Sequence, residues 1–282
     1  MSTMTLRFPN DKGLSSPAGV EYRRSSSREV RKSFRMGIKE RLIAGANSAL
    51  QPLGLSLNKL SHSKGFALHQ YKKPDGSFDY EQYRAVQRRG NLEKLQNVWA
   101  DQTNINFLAD YIKAKIGTVN FGLCHGTRRG LEQKWFSEAL GCKVIGTEIS
   151  ETATRFENTI QWDFHDVKPE WLSSVDFIYS NSFDHSFDPE KCLSAWMSCL
   201  KPGGICLLEH TSAHGLQSAN ELDPFGAELA VMPFLIATWG AGRFAVTEIL
   251  KAPSGPSSFF LCISNLTSLA VATTSYGIGV DH

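Results

Sequence analysis

No apolar run in the chain approaches the ~20 residues that a bilayer-spanning helix needs, and the start lacks the apolar core of a secretory signal. None of the six cysteines, Cys124, Cys142, Cys192, Cys199, Cys206 and Cys262, forms a C-x-x-C pair, so the spacing that marks a structural zinc site is missing. All six sit in apolar stretches, where a free cysteine behaves as a small hydrophobe. That usage fits a reducing compartment, and a cytoplasmic location is expected. There is no strong charge of one sign either: the net charge is +2, whereas a nucleic-acid-binding domain is usually clearly basic. Internal repeats are also lacking.

What is present is enough apolar material for a packed core, 41% hydrophobic residues, distributed unevenly along the 282 positions. Residues 1–36 are polar, basic and Ser-rich and are expected to be a disordered leader. Residues 37–117 read as a helical extension. Within it, 38–60 combine apolar and basic residues interrupted at Pro52, which suits a short amphipathic helix. Such a helix either rests on an anionic membrane surface or a partner, or packs on its own domain. Tyr80 to Arg88 and Leu92 to Ile116 have helical spacing, the latter closed by Gly117. Residues 267–282 form a Ser-, Thr- and Gly-rich tail, expected to be loose.

Between these, residues 118–266 change rhythm. Strands are predicted at 118–121, 142–146, 159–162, 175–180 and 204–208. Helices fall at 128–140, 189–200 and 227–239, with a short one from Ser150. The strands are continuous apolar runs, as in a parallel sheet covered on both faces. Two last strands, 244–250 and 258–264, are joined by the turn Pro253-Ser254-Gly255-Pro256, too short for anything but an antiparallel hairpin. The expected fold is therefore α/β: a seven-stranded, mostly parallel sheet with helices on both faces, a C-terminal antiparallel hairpin and an N-terminal helical extension.

Open sheets of this kind bind ligands beyond the carboxyl ends of their strands. The first such loop is read as Gly122 to Gly130, where small residues admit a ligand and the following helix offers free N–H groups. Its glycines do not have the G-x-G-x-x-G spacing of a dinucleotide fingerprint. The second strand ends in an acid, Glu148, suited to a ribose diol.

These segments resemble the class I S-adenosylmethionine-dependent methyltransferases. Val119 to Gly126 is similar to their first motif, hydrophobic-Asp-x-Gly-x-Gly-x-Gly, with Asn120 in place of the acid and Cys124 in place of the middle glycine. Val144 to Ile149 is similar to the second motif, Asp163-Phe164 to the third, Asp176 to His185 to the fourth, and Leu200-Lys201-Pro202-Gly203-Gly204 to the turn before strand five. The resemblance implies S-adenosylmethionine as cofactor. It places Asn120, Gly122, Cys124, His125, Gly126, Glu148, Ile149, Asp163, Phe164, Asn181 and Ser182 around it. It also implies that a helix carrying Tyr80, Tyr83, Arg84, Gln87 and Asn91 covers the site, with Arg84 toward the methionine carboxylate.

A sulfonium already activates its methyl group, so alignment of the acceptor matters most, and a base is needed only when the acceptor must lose a proton. His185, with Asp184 beside it, and His210 are the candidate catalytic residues; no metal is assigned. The 211–226 stretch is long enough for a lid or an acceptor pocket. The expected reaction is methyl transfer to an O or N atom of a small-molecule, saccharide or lipid-linked acceptor, the last two because 38–60 resembles leaders of enzymes acting on surface glycans. A nucleic-acid acceptor is not expected: Asn181-Ser182-Phe183 lacks the Pro-Pro of nucleobase amino-methyltransferases, and no Pro-Cys is present for cytosine C5. The altered first motif leaves open an inactive S-adenosylmethionine-binding module recruited through its leader. A nicotinamide-dependent oxidoreductase is the third reading, disfavoured by glycine spacing and the hairpin.

Overall fold

The computed structural model describes residues 65–255 and 257–266; the expectations for 1–36, 38–60 and 267–282 lie outside the described residues. Strand β1 (Phe66–Leu68) precedes helices α1 (Tyr80–Glu93) and α2 (Gln102–Ile116). Strands β2 (Phe121–His125), β3 (Lys143–Glu148), β4 (Thr159–Gln161) and β5 (Val175–Ser180) follow, with α3 (Leu131–Leu140) between β2 and β3. Then come α4 (Pro189–Cys199), β6 (Leu200–His210), β7 (Phe225–Ala227), α5 (Met232–Gly240), β8 (Phe244–Lys251) and β9 (Phe259–Asn265).

Seven strands form one sheet in the order β4-β3-β2-β5-β6-β9-β8. All neighbours are parallel except β9, which runs against both β6 and β8. Strand alternation sorts the core into two layers. Leu123, Ile178, Cys206, Leu208 and Leu261 face one way, onto Leu193, Trp196 and Met197 of α4 and Ile236 and Trp239 of α5. Cys124, Phe177, Tyr179, Leu207 and Cys262 face the other, onto Ile105, Leu108 and Ile112 of α2 and Phe136 of α3.

Three sequence expectations are corrected. First, Leu92 to Ile116 is not one helix. The chain leaves the helix after Glu93 and restarts at Gln102, where the Asp101 carboxylate accepts from the backbone N–H of Thr103 and Asn104. A short acidic side chain satisfies otherwise orphaned N–H groups, so Asp101 starts a helix instead of continuing one. Leu92, Val98 and Trp99, counted toward a buried stripe, are exposed. Second, the first strand of the domain runs 121–125 rather than 118–121, moving the turn that follows it by four residues. Third, β1 and β7 pair as a small separate antiparallel sheet, Phe66 opposite Ala227 and Leu68 opposite Phe225. Three-residue strands so far apart in sequence carry no periodic signal.

Candidate active site

The turn that positions the site is Gly126 to Gly130. Backbone N–H groups of Gly126 and Thr127 both donate to the Thr147 carbonyl, at 2.9 and 3.1 Å, tying the end of β2 to β3. Gly126 has φ +75°, and a Cβ there would lie 2.6 Å from Ser182 Cβ, so only glycine lets the ends of β2 and β5 meet. Across that contact the Ser182 hydroxyl donates to the Gly126 carbonyl (3.1 Å) and the Ser180 hydroxyl to the His125 carbonyl (2.9 Å).

This geometry shifts the first motif. A pattern whose first glycine follows the strand runs Cys124-His125-Gly126-Thr127-Arg128-Arg129-Gly130, with Cys124 at the acid and Arg128 at the middle glycine. Arg128 keeps a glycine-like φ of +41°, and Gly130 has φ +73°. A non-glycine residue held there is strained.

Around the turn lies a cleft. Its floor is Gly126, Glu148, Ile149, Asp163, Phe164 and Ser182, and Arg128 stands at its edge. Its cover is the α1 face bearing Tyr83, Gln87, Gly90 and Asn91, together with His185 and Leu222. A neighbouring recess of about 310 Å³ shares Gly126, Arg128 and Ser182 and adds Trp99, Thr127, Glu132 and Asn181.

The polar groups of the floor are under-used by the protein itself. Glu148 is 7% exposed; one carboxylate oxygen, Oε1, accepts from the Ser150 N–H at 2.9 Å. Burial pushes its carboxyl above the usual carboxylate range, opposed by the Ser150 N–H and by the charges of His185 and Arg128. Asn91 Oδ1 accepts from the Thr152 hydroxyl, which orients the amide. Its Nδ2 is close enough to Glu148 to favour the carboxylate but is buried without a hydrogen-bond partner among the described residues. A buried donor left this way costs about 1–3 kcal/mol unless a ligand or water accepts from it. In the recess, Thr127 Oγ1 is likewise unpartnered among the described residues, and burial raises the Glu132 carboxyl to about 7.

Asp163 is largely committed. It accepts from the His165 backbone N–H and ring Nδ1 and from the Tyr80 hydroxyl. Burial pushes its pKa up, but the His165 hydrogen bonds outweigh this and the net displacement is downward.

The cover is held by side-chain bonds. Gln87 Nε2 donates to the Leu222 carbonyl at 2.8 Å. His185 Nδ1 meets Gln87 Oε1 at 2.8 Å and the Leu222 carbonyl at 3.0 Å, and the Tyr83 hydroxyl donates to the His185 carbonyl at 3.2 Å. Leu222 of the long 211–226 stretch thus reaches the cleft and is joined to α1.

Of the residues expected around the cofactor, Gly126, Glu148, Ile149, Asp163, Phe164 and Ser182 line the cleft, and Asn181 lines the recess. Four are elsewhere. Asn120 is exposed at the amino end of β2, where its N–H donates to Asp176. Gly122 lies inside β2 opposite Phe177; a Cβ would fall 2.2 Å from that ring, so it is a packing glycine. Cys124 is fully buried in the core. His125 stacks on Trp196 at 4.6 Å, its Nδ1 hydrogen-bonds the Thr147 hydroxyl, and burial, aided by the nearby His165, lowers its pKa to about 3.

Among the expected catalytic residues, His185 faces the cleft. Asp184 and His210 line a separate, mainly apolar recess with Phe183, Phe225 and Met232. His210 Nε2 donates to the Ala227 carbonyl at 2.9 Å, and burial lowers its pKa, so it serves as a neutral core histidine. Glu209 accepts from the Tyr179 and Ser258 hydroxyls inside the sheet. Arg84 borders another groove, with Tyr80, Trp162 and Asp166; Arg128 is the guanidinium at the cleft. Arg128 was missed because it was counted as the start of a helix. Leu222 and Asp223 were missed because a loop has no period, although Asn220-x-x-Asp223-Pro224 is a turn signal.

Comparison with known proteins agrees with this geometry. Residues 123–208 match the family described as methyltransferase domain. No curated protein matches the chain. Among solved structures, the chain is similar to the Burkholderia thailandensis 1,6-didemethyltoxoflavin-N1-methyltransferase, solved with 1,6-didemethyltoxoflavin and S-adenosylhomocysteine. The TM-score is 0.53 at 15% identity, covering 74% of this chain and 97% of that one. It is also similar to the plantazolicin methyltransferase in complex with S-adenosylhomocysteine, TM-score 0.51 at 14% identity, covering 66% and 95%. At such identities the likeness establishes the fold. No described helix is long and apolar enough to cross a membrane.

Proposed function

We propose that this chain is a class I S-adenosylmethionine-dependent methyltransferase that methylates an O or N atom of a small organic acceptor. The observation that carries the reading is the cleft floor. A buried acid, the Asn91 amide N–H beside it and a glycine turn converge where a cofactor must lie.

Bound S-adenosylmethionine supplies a methyl group already activated on a sulfonium. The chain's task is to hold and align. Glu148 accepts hydrogen bonds from a ribose diol, and Asn91 Nδ2 donates beside it. Phe164 and Ile149 offer apolar contact to a base, and free N–H groups at the start of α3, with Arg128, face a carboxylate. The α1 cover and Leu222 exclude water, which would compete with the acceptor. His185, at the inner wall, is placed to orient the acceptor or take its proton.

The solved structures named above are methyltransferases of 1,6-didemethyltoxoflavin and of plantazolicin, which supports a small-molecule acceptor. A saccharide or lipid-linked acceptor draws on residues 38–60 and stands as a proposal. Arg128 in the middle-glycine position favours one second reading, a domain that binds the cofactor without turning over.

The first experiment is calorimetric titration with S-adenosylhomocysteine beside NADH. Micromolar binding of the former alone is expected; the reverse would overturn the assignment. Transfer of labelled methyl groups into small-molecule extracts then separates the enzyme from the binding module.

A further inference from the structure

We propose that Asp184, His185 and Asp223 hold a divalent metal cation between the cleft that His185 faces and the recess that Asp184 lines, although the sequence reading assigned none. One ligand atom from each of the three lies within 4.8 Å of the others. Ligands bound at ~2.1 Å to a six-coordinate cation lie roughly 3–4 Å apart, so closure needs a contraction of less than about 2 Å. Proximity alone is common among acidic groups, and two independent observations point to a ligand.

The first is Asp184. It is 9% exposed, and its Oδ1 has no hydrogen-bond partner among the described residues. Its other oxygen is 3.8 Å from His214 Nε2, beyond a hydrogen bond. A buried carboxylate oxygen without a donor is expensive unless a positive charge compensates it.

The second is the tautomer of His185. Gln87 Nε2 donates to the Leu222 carbonyl, which fixes the amide so that Oε1 faces the imidazole. His185 Nδ1 therefore meets two acceptors, Gln87 Oε1 and the Leu222 carbonyl, and must carry the proton. His185 Nε2 is thereby turned toward Asp223, 3.7 Å from its Oδ1. An N–H donated to a carbonyl behind a free nitrogen is also the arrangement that orients metal-bound histidines. Asp223 Oδ2 accepts from Asn220 Nδ2 at 3.2 Å, which leaves Oδ1 for the site.

Two carboxylates and one imidazole suit Mn²⁺ or Zn²⁺, with open positions for water or substrate oxygen. The role rests on the methyltransferase reading; the binding does not. A hydroxyl of the acceptor coordinated there loses its proton to solvent more readily. Its oxygen lone pair then forms the new C–O bond as the methyl–sulfur bond breaks, releasing S-adenosylhomocysteine.

The test is titration of the EDTA-stripped full chain with MnCl₂, reading free Mn²⁺ by electron paramagnetic resonance, and with ZnCl₂ by calorimetry. One tightly bound equivalent is expected, weakened about 10–100-fold by Asp223→Asn and by His185→Ala. Exposed Glu170→Gln serves as control and should leave it unchanged. Folding of each variant is read by circular dichroism, and His185→Gln replaces any that fails. Absence of Mn²⁺ and Zn²⁺ binding up to about 1 mM, or binding indifferent to both substitutions, overturns the proposal. S-adenosylhomocysteine affinity is measured separately in metal-free buffer. Cofactor binding without cation binding removes only the metal, and the converse removes only the cofactor assignment.

Discussion

Glu148 and His185 face the same cleft but are held there by different means. Glu148 ends a strand paired on both sides, with β2 and with β4, so its position follows from sheet register. His185 lies in a single 3₁₀ turn, fixed by Gln87 from α1 and by the Leu222 carbonyl from the long loop. The floor is therefore built from backbone ladders and buried apolar contacts, the cover from a few side-chain bonds between distant segments. Opening the cover breaks only those few bonds, whereas moving the floor breaks the sheet. A site that must admit two molecules and then exclude water is expected to move at its cover.

The largest effect expected is on rate. His185→Ala should lower turnover by about 10²–10⁴-fold while S-adenosylhomocysteine affinity changes far less. Equal losses in both would mean that His185 belongs to the cofactor site. Next, Gly122→Ala tests the floor. A methyl group meeting the Phe177 ring at 2.2 Å should destabilise the fold by about 1–3 kcal/mol in urea unfolding, and an unperturbed midpoint would contradict the packing role.

Glu148→Ala should weaken S-adenosylhomocysteine by about 1.5–3 kcal/mol without loss of stability, read by calorimetry. His125 links the floor to pH. Its folded pKa, about 3, is below the ordinary 6.5, so the unfolded chain binds the extra proton between those values. Stability should be intact above pH 6.5 and fall by up to about 1.4 kcal/mol per pH unit below it. In His125→Asn that slope should flatten; an unchanged slope would assign the acid sensitivity to another group.

The smallest effect sharpens the comparison most. A Cβ on Gly90 would meet the flexible end of Leu222 at 2.2 Å. Gly90→Ala should cost less than ~1 kcal/mol in folding, since alanine favours the helix, while loosening the cover and raising KM. Unfolding of this variant would show that the cover is as rigid as the floor.

How much of this was legible depended on local signals. The alternation of apolar runs with helical periods was enough for the seven-stranded sheet and for Glu148 at a strand end. Gly141, the Pro189 helix start and the closing hairpin marked their boundaries correctly. The first loop was misplaced because Leu123-Cys124-His125 carries a polar residue that looks like loop, although it is strand. The stacking of His125 on Trp196 and its hydrogen bond to the Thr147 hydroxyl explain why that polar residue can lie in the core. Asp101 carried a helix-start signal that the apolar spacing on either side overrode.

By itself, then, the order of apolar periods determined the class of fold and the edge of the sheet where chemistry would occur, because those follow from local hydrophobic pattern and strand length. Tertiary structure alone decided which polar side chains reach the cleft. It turned Gly122, Cys124, His125 and His210 into core, brought Arg128 to the cleft's edge, and set Asp223 beside His185 across 37 residues of chain separating His185 from Leu222. Side-chain direction at a strand end depends on register to the residue, and contact between distant loops depends on packing. Neither has a period that a linear sequence can display.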